Sequence, residues 1–577
     1  MSTMISQAGF FARRLHRHSH SRVYQPQRAS SRERLVFSFA RVVAWAALFL
    51  FLALNANAQP RTSLLWSFQA NGNMQCIAAA PDLDADGGPD VVFEGYENGP
   101  SGVDHVFAIR GASSGVGAVI WSARPIGGAS SGGGWGDNCL RICPDFNSDG
   151  VADVLLGTAW GGSTAYGMDG TAGTTMWSFD TYLMSPPSPP ESGWVYAIDA
   201  LGSDLTMDGV SEVVFGCGSN NDYLYCVNGS TGARVWSYDG TDAFFNVLSR
   251  DDVNGDGVRD VVASLGDNTP VSPRIVTFSG ANGGVLWFRP VANTAWNLAI
   301  IGDVTGDGIA DVVPSQLGGN LYCLDGANGS VFWQVSASSQ QRVVALDDVN
   351  GDGYMDVAAG SYQASNARAY SGRTGALLWT APTSDWTWAI DRIADCTGDG
   401  VNDVVAGDFD GIVHLINGVS GAIEWSWTNP TGDKIKTIRG VGDLNGNGAP
   451  DVVAGTQLLY GGSGGDVYAL EGNENLSAIG EGVPGRFWLS QARPNPSRGP
   501  VCWELSTSSA ERVRLLVVGP DGRTVRDLGE RQCEGAGQPL LWDGRDSEGV
   551  LVPTGVYYLR LLTGVRTASE GKVVVVR

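Results

Sequence analysis

The chain has 577 residues, 43% of them hydrophobic, with 19 tryptophans, 80 glycines and a formal net charge of −23. Beyond residue 58 it carries 29 basic against 59 acidic residues, which excludes the basic surface that nucleic acid binding requires. Only His105 and His414 remain in that stretch, and this argues against a His-centred triad or a His-rich zinc site.

The N-terminus is basic through Arg41, then runs through thirteen apolar residues, Val42 to Leu54, to Ala56-Asn57-Ala58. A charged region, a short apolar run and an A-x-A site predict a signal peptide over residues 1–58, removed on export to the cell surface or beyond. Thirteen residues are too few to span a bilayer comfortably, and a retained signal anchor, suggested by the long basic region before them, is the alternative.

Export permits disulfides. Cys217 and Cys226 flank a predicted hairpin, Cys139 and Cys143 are close in sequence, and Cys502 and Cys533 share the C-terminal segment. Burial as small apolar side chains is the alternative for most of the nine. No C-x-x-C pair occurs, so the commonest redox and zinc-ribbon readings fall away.

From residue 59 to 472 one acidic pattern returns eight times. The copies are DLDADGGPD, DFNSDGVAD, DLTMDGVSE, DVNGDGVRD, DVTGDGIAD, DVNGDGYMD, DCTGDGVND and DLNGNGAPD, starting 63, 59, 48, 51, 45, 47 and 48 residues apart. Periods of this size indicate a propeller or another array. Between the copies lie strand–Gly-turn–strand units ending in Trp121, Trp177, Trp236, Trp287, Trp333, Trp379 and Trp425. The last turn strand, VYALEG, has no tryptophan after it, whereas Trp66 precedes the first acidic loop without a turn strand. The two halves complete one another if the chain closes into a ring. The predicted fold is therefore all-β: an eight-bladed β-propeller closed by an N-terminal strand.

Oxygens at loop positions 1, 3, 5 and 9, with the backbone carbonyl at 7, can surround one hard cation, and Ca²⁺ takes six to eight oxygens in irregular geometry. The predicted ligands are Asp82, Asp84, Asp86 and Asp90; Asp145, Asn147, Asp149 and Asp153; Asp204, Thr206, Asp208 and Glu212; and Asp252, Asn254, Asp256 and Asp260. The second half of the chain adds Asp303, Thr305, Asp307 and Asp311; Asp348, Asn350, Asp352 and Asp356; Asp395, Thr397, Asp399 and Asp403; and Asp443, Asn445, Asn447 and Asp451. The eight loops hold 24 carboxylates. Asx-turns that bond their own backbone without metal are the alternative.

The acidic loops resemble FG-GAP repeats, the calcium-loop blades of integrin α-chain propellers. The Gly-to-Trp spacing of Gly173 with Trp177, Gly232 with Trp236 and Gly329 with Trp333 resembles the tryptophan-docking motif of eight-bladed quinoproteins. Together the two resemblances cover Leu64 to Gly472 and imply a calcium-binding propeller.

Residues 473–486 read as a linker. From 487 to 577 alternating strands such as RVRLLVVG, GVYYLRLL and KVVVVR suit a small β-sandwich. Pro494–Pro496, Trp542-Asp543-Gly544 and Gly555–Tyr558 carry a resemblance to the flagellar hook-capping-type Ig-like fold and to type IX secretion sorting domains, which implies sorting or surface attachment.

Aromatic residues recur just ahead of the acidic loops, Phe245, Trp296 and Trp388 by seven residues and Trp135 and Trp194 by ten. If that strand lines the channel, they gather at its mouth as a ligand face, with the long insertions IGGASSGGGWGDN and LMSPPSPPESGW beside them. The reading that follows is a secreted or surface calcium-binding propeller that binds an extracellular protein or glycan and has no catalytic residues. A quinone-dependent dehydrogenase and a polysaccharide lyase are the enzymatic alternatives. The first lacks an adjacent cysteine pair and a haem motif. The second would draw on Arg141, Arg392 and Arg439, which precede loops and could enter the channel.

Overall fold

Each β-branched run behind an acidic loop becomes the second strand of an antiparallel sheet, because the loop reverses the chain onto the strand before it. The computed structural model describes residues 62–70, 72–97, 103–125, 137–159, 162–184, 193–266, 272–337, 340–458, 465–473, 487–489, 497–519, 523–563 and 566–576. The signal peptide, Trp135, most of both insertions, Pro494–Pro496 and the linker from 474 onward lie outside the described residues. No helix among those residues is long and apolar enough to cross a membrane. The helical element described is a single turn, Thr181–Met184.

Between Leu64 and Leu470 the strands form eight successive sheets, seven of four strands in simple sequence order. The sheet formed by Lys434–Val441, Asp451–Gln457 and Gly465–Leu470 takes its fourth strand from the other end of the chain, Leu64–Ala70. Phe68 pairs there with Val467 and Trp66 with Ala469. The ring is closed by this pairing, and the protein is a β-propeller. First strands of neighbouring sheets meet around its centre, among them Asn73–Ala80 with Lys434–Val441 and Thr387–Ile393 with both Gln340–Leu346 and Lys434–Val441.

The tryptophans join the sheets. Each indole Nε1 donates to the carbonyl of a glycine in the following sheet: Trp66 to Gly111, Trp121 to Gly170, Trp177 to Gly229, Trp236 to Gly280, Trp287 to Gly326, Trp333 to Gly372, Trp379 to Gly418 and Trp425 to Gly472. All eight rings are at most 9% exposed. The docking partner is not the glycine of the tryptophan's own hairpin. Trp121 covers Gly173 and Trp177 covers Gly232, so closely that an added Cβ would lie 2.4 Å and 2.9 Å from the rings. The Gly-to-Trp motif therefore supplies both a socket and a plug, and each sheet plugs into the next.

Phe487–Leu489 and the strands from Val501 to Val575 form one further sheet, in which Val501–Val518 and Thr524–Trp542 pair as a long hairpin. Alternate residues of these strands, among them Val501, Trp503, Val513, Leu515, Trp542, Leu559 and Val573, share one core. The longest strands shift register between Thr507 and Glu511, and a kink of this kind lets the two halves of one hairpin face a common core.

The cysteine pairs expected from sequence proximity do not form. Cys217 and Cys226 lie in different core clusters, as do Cys139 and Cys143. Cys502 pairs with Leu541, whereas Cys533 pairs with Glu511. Cys226 pairs with Val214, three positions from Cys217, and an odd offset along a strand turns the two side chains to opposite faces of the sheet.

Candidate functional site

The inner strands run between two unlike ends of the channel, one carrying the acidic loops and the other a ring of mixed side chains. In the loops, the position-1 carboxylate collects the backbone amides of positions 5 and 6: Asp252 accepts from Asp256 at 3.1 Å and Gly257 at 2.7 Å, and Asp348 from Asp352 and Gly353 at 3.0 and 2.7 Å. The position-6 glycines sit at φ of 87–95°, a conformation only glycine adopts freely. Position 4 also lies in this left-handed region. Five loops place glycine there, whereas Ala85, Ser148 and Met207 hold φ of 62°, 65° and 60°.

The ninth residue lies beneath the loop and touches position 3 in two copies, where Asn350 Nδ2 donates to Asp356 at 3.0 Å and Thr397 Oγ1 to Asp403 at 3.4 Å. Asp90, Asp153, Asp260, Asp311, Asp356, Asp403 and Asp451 are buried, and each takes one amide from loop position 2 and a second from the glycine of the sheet's own Gly turn. Glu212 accepts from Leu205 and Thr206. These eight carboxylates, predicted as the ninth-position cation ligands, also brace the loop through its backbone amides. Burial raises Asp90 and Asp356 to about 6 and Asp403 to about 7, and burial together with the Glu471 charge raises Asp451 to about 8. The position-1 residue Asp252 is instead held low, chiefly by the Gly257 amide.

The more exposed oxygens of the loop are those of positions 1, 3 and 5. Asp82, Asp84 and Asp86 each bring one oxygen within 4.8 Å of the others, and Arg110 lies against Asp84 and Asp86 at 2.5 and 3.2 Å. The donor chemistry, hard oxygens around a glycine-hinged loop, fits Ca²⁺. The eighth loop gains an acid the repeat pattern does not show. Glu471 accepts from Asn445 at 2.6 Å and Asn447 at 2.5 Å.

At the other end, six inner strands carry a β-bulge at the same place. The extra residues are Gln75, Tyr196, Phe245, Gln341, Trp388 and Lys436. A bulge re-aims its side chain, and here all six turn into one cup, joined by Asn138 and Trp296 from the remaining two sheets. The ring contacts run continuously: Trp194 on Tyr196, Tyr196 stacked on Phe245 at 4.8 Å, Phe245 on Trp296 at 5.1 Å, Trp296 edge-on to Trp388 at 6.5 Å. The Lys436 ammonium sits 4.2 Å from the Trp388 ring centre. Trp194, Phe245, Trp296 and Trp388 are thus brought together, with Phe245 buried and the three tryptophans partly exposed.

Sequence reasoning missed Tyr196 and the polar half of this ring, although for the polar half the signal was present. Gln75, Asn138, Gln341 and Lys436 also stand seven residues ahead of an acidic loop. It also missed Asp137, which closes the channel beneath the cup. Its carboxylate meets the Arg342 guanidinium, accepts from Thr437 Oγ1 at 2.5 Å and lies 3.7 Å from Arg439. Asn138 Nδ2 reaches the carbonyls of Phe245 and Trp296, each at 3.2 Å. Burial opposes ionisation of Asp137, but Arg342, Arg439, Thr437 and Lys436 outweigh it and hold the carboxyl below its usual range. Above this plug about 50 Å³ is open; on the other side lies a cavity of about 380 Å³ lined by Arg141, Asn246, Arg342, Asp391 and Arg392. Arg141 and Arg392 thus enter the channel as anticipated, while Arg439 is spent on the plug.

The sequence profile of the PQQ_2 family, described as outer membrane protein assembly factor BamB, matches residues 161–426 and, in an overlapping placement, 312–502. No curated protein sequence matches the chain. Among solved structures, Sqt1 of Saccharomyces cerevisiae aligns with a TM-score of 0.51 at 12% identity, over 71% of this chain and 98% of that one. The quinohemoprotein alcohol dehydrogenase of Comamonas testosteroni gives 0.50 at 14% identity, over 72% and 77%. BamB of Moraxella catarrhalis gives 0.44 at 16% identity, over 71% and 97%. At these identities the likeness shows the fold alone.

Proposed function

We propose, for a chain that belongs to the PQQ_2 family described as outer membrane protein assembly factor BamB, the role of a non-catalytic binding propeller of the cell envelope, stabilised by calcium. It captures an exported protein or glycan at the mixed ring. The observation that supports this reading is the ring itself. Every sheet keeps its loop and its tryptophan socket, yet at the ring position the side chains are Gln, Asn, Tyr, Phe, Trp, Gln, Trp and Lys. A repeat that varies at the one position lining the cup, where Trp296, Trp388 and Lys436 are partly exposed, has the makings of a recognition surface.

The fold family also raises a quinone cofactor, and the residues do not fit one. A flat polyanionic quinone needs an aromatic face, cationic partners and room. Here the aromatic faces border a space of about 50 Å³, room for on the order of three to five waters at ~10–15 Å³ each. The larger cavity and the remaining arginines lie across the plug, where the lining side chains include no aromatic ring.

The C-terminal sheet serves sorting or surface attachment in this reading. The test of the binding role is an array of glycans and peptides probed with the full chain and with Trp388→Ala. Shared signals that fall at least tenfold in the variant support the ring as the binding surface. Signals equal in both place binding elsewhere.

A further inference from the structure

We propose that Cys76 and Cys139 form a disulfide that ties the channel plug to the first sheet. Cys76 lies on the inner strand Asn73–Ala80, next to the bulge residue Gln75, and Cys139 directly follows Asp137 and Asn138. Their sulfurs are 3.4 Å apart although 63 residues separate them in sequence. Both side chains are 0% exposed and share one core cluster. Among the described cysteines, no other pair is recorded with its sulfurs in contact. Closing the remaining distance to the ~2.05 Å of a disulfide calls for small side-chain rotations, since the sulfurs already touch.

The chemistry is thiol–disulfide exchange with a disulfide donor, either a small molecule or an oxidising protein. The Cys139 thiolate attacks the donor disulfide, forming a mixed disulfide and releasing one donor thiolate. The Cys76 thiolate then attacks the Cys139 sulfur and expels the second. Two cysteine thiols are oxidised, the donor disulfide becomes a dithiol, and the two thiol protons pass to it. Burial and the neighbouring Cys139 sulfur push the Cys76 thiol well above its usual range. The exchange therefore belongs to folding, before the first two sheets close over the sulfurs. The link pins Asn138, and with it the floor of the cup, to the first sheet, and a loop of this length is one whose closure restrains the unfolded chain substantially.

The bond requires an oxidising compartment, the environment assigned above, but its test does not. The full chain is folded in a glutathione redox buffer, alkylated under denaturing conditions and digested without reduction. The expected product is a peptide joining Cys76 to Cys139, lighter by two hydrogens than its halves, cleaved by reductant, absent from Cys139→Ala and present in Cys143→Ala. Reductant also lowers the melting temperature of the parent chain but leaves that of the Cys76→Ala/Cys139→Ala double variant unchanged. Recovery of both cysteines alkylated, or of either joined to a different cysteine, overturns the proposal. Because the redox buffer supplies the oxidant, a failed map and a failed export assignment are separate results.

Discussion

The two ends of the channel are built on opposite principles. At the acidic end eight loops repeat nearly the same residues and the same hydrogen bonds, so the end is redundant and each copy contributes a small increment. At the ring end one residue per sheet faces the mouth, no two neighbouring positions are alike, and a single plug residue, Asp137, gathers the charges of Arg342 and Arg439. Repetition serves cohesion of the ring of sheets, and variation at a fixed position serves recognition.

If that division holds, removing cations has the largest effect of all. At ~1 mM Ca²⁺ and a Kd of ~10⁻⁴ M, one site contributes about 1.4 kcal/mol, so six occupied loops contribute roughly 8 kcal/mol, comparable with the ~5–15 kcal/mol of a typical domain. Chelation lowers the melting temperature by many degrees, and more at low salt, where the loop carboxylates are least screened. Replacing a single socket tryptophan comes next. Trp333→Ala loses the bond to Gly372 and leaves a cavity between sheets, costing about 3–5 kcal/mol by denaturant unfolding.

Third is the plug. Asp137→Ala strands the Arg342 guanidinium and costs about 2–3 kcal/mol, below the full value for a sealed pair because the channel admits water. Its pH dependence has a definite sign. A carboxylate whose folded pKa is depressed stabilises above its unfolded value near ~3.9, and that contribution is lost as pH falls through the lower folded value. The difference between parent and Asp137→Ala is therefore constant above about pH 5 and vanishes in stronger acid. Smallest is a gain. Met207 is an exposed residue at φ 60°, and Met207→Gly relieves the left-handed strain for about 0.5–1 kcal/mol of added stability.

The ring of sheets was legible because it is written eight times. The match between an orphan Trp66 and the tryptophan-less strand at Val467 announced the closure seen between Leu64–Ala70 and Gly465–Leu470. The bracing role of position 9 was not legible, because a carboxylate at ligand spacing and a carboxylate that braces two backbone turns look alike in one dimension. Burial reveals the bracing, as at Asp403, which is 0% exposed. Glu471 and Asp137 were invisible for a different reason: each reaches its partners across the fold, Glu471 over 26 residues to Asn445 and Asp137 over 300 to Thr437. Three of the eight ring residues, Phe245, Trp296 and Trp388, were found because aromatic residues stand out, whereas Tyr196 stands eight residues ahead of its loop and was missed. The polar half sits at the same offset and was passed over because Gln75 and Lys436 resemble ordinary surface residues.

The claim that cohesion and recognition occupy opposite ends is tested most directly by one paired thermal melt. Parent chain and Trp296→Ala/Trp388→Ala are each unfolded in millimolar calcium and in excess chelator. The account predicts a drop of many degrees on chelation, equal in the two proteins, and a cost of only about 1–2 kcal/mol for the ring substitutions because these rings are partly exposed. Melting that is identical with calcium and with chelator, in verified metal-free protein, would contradict it.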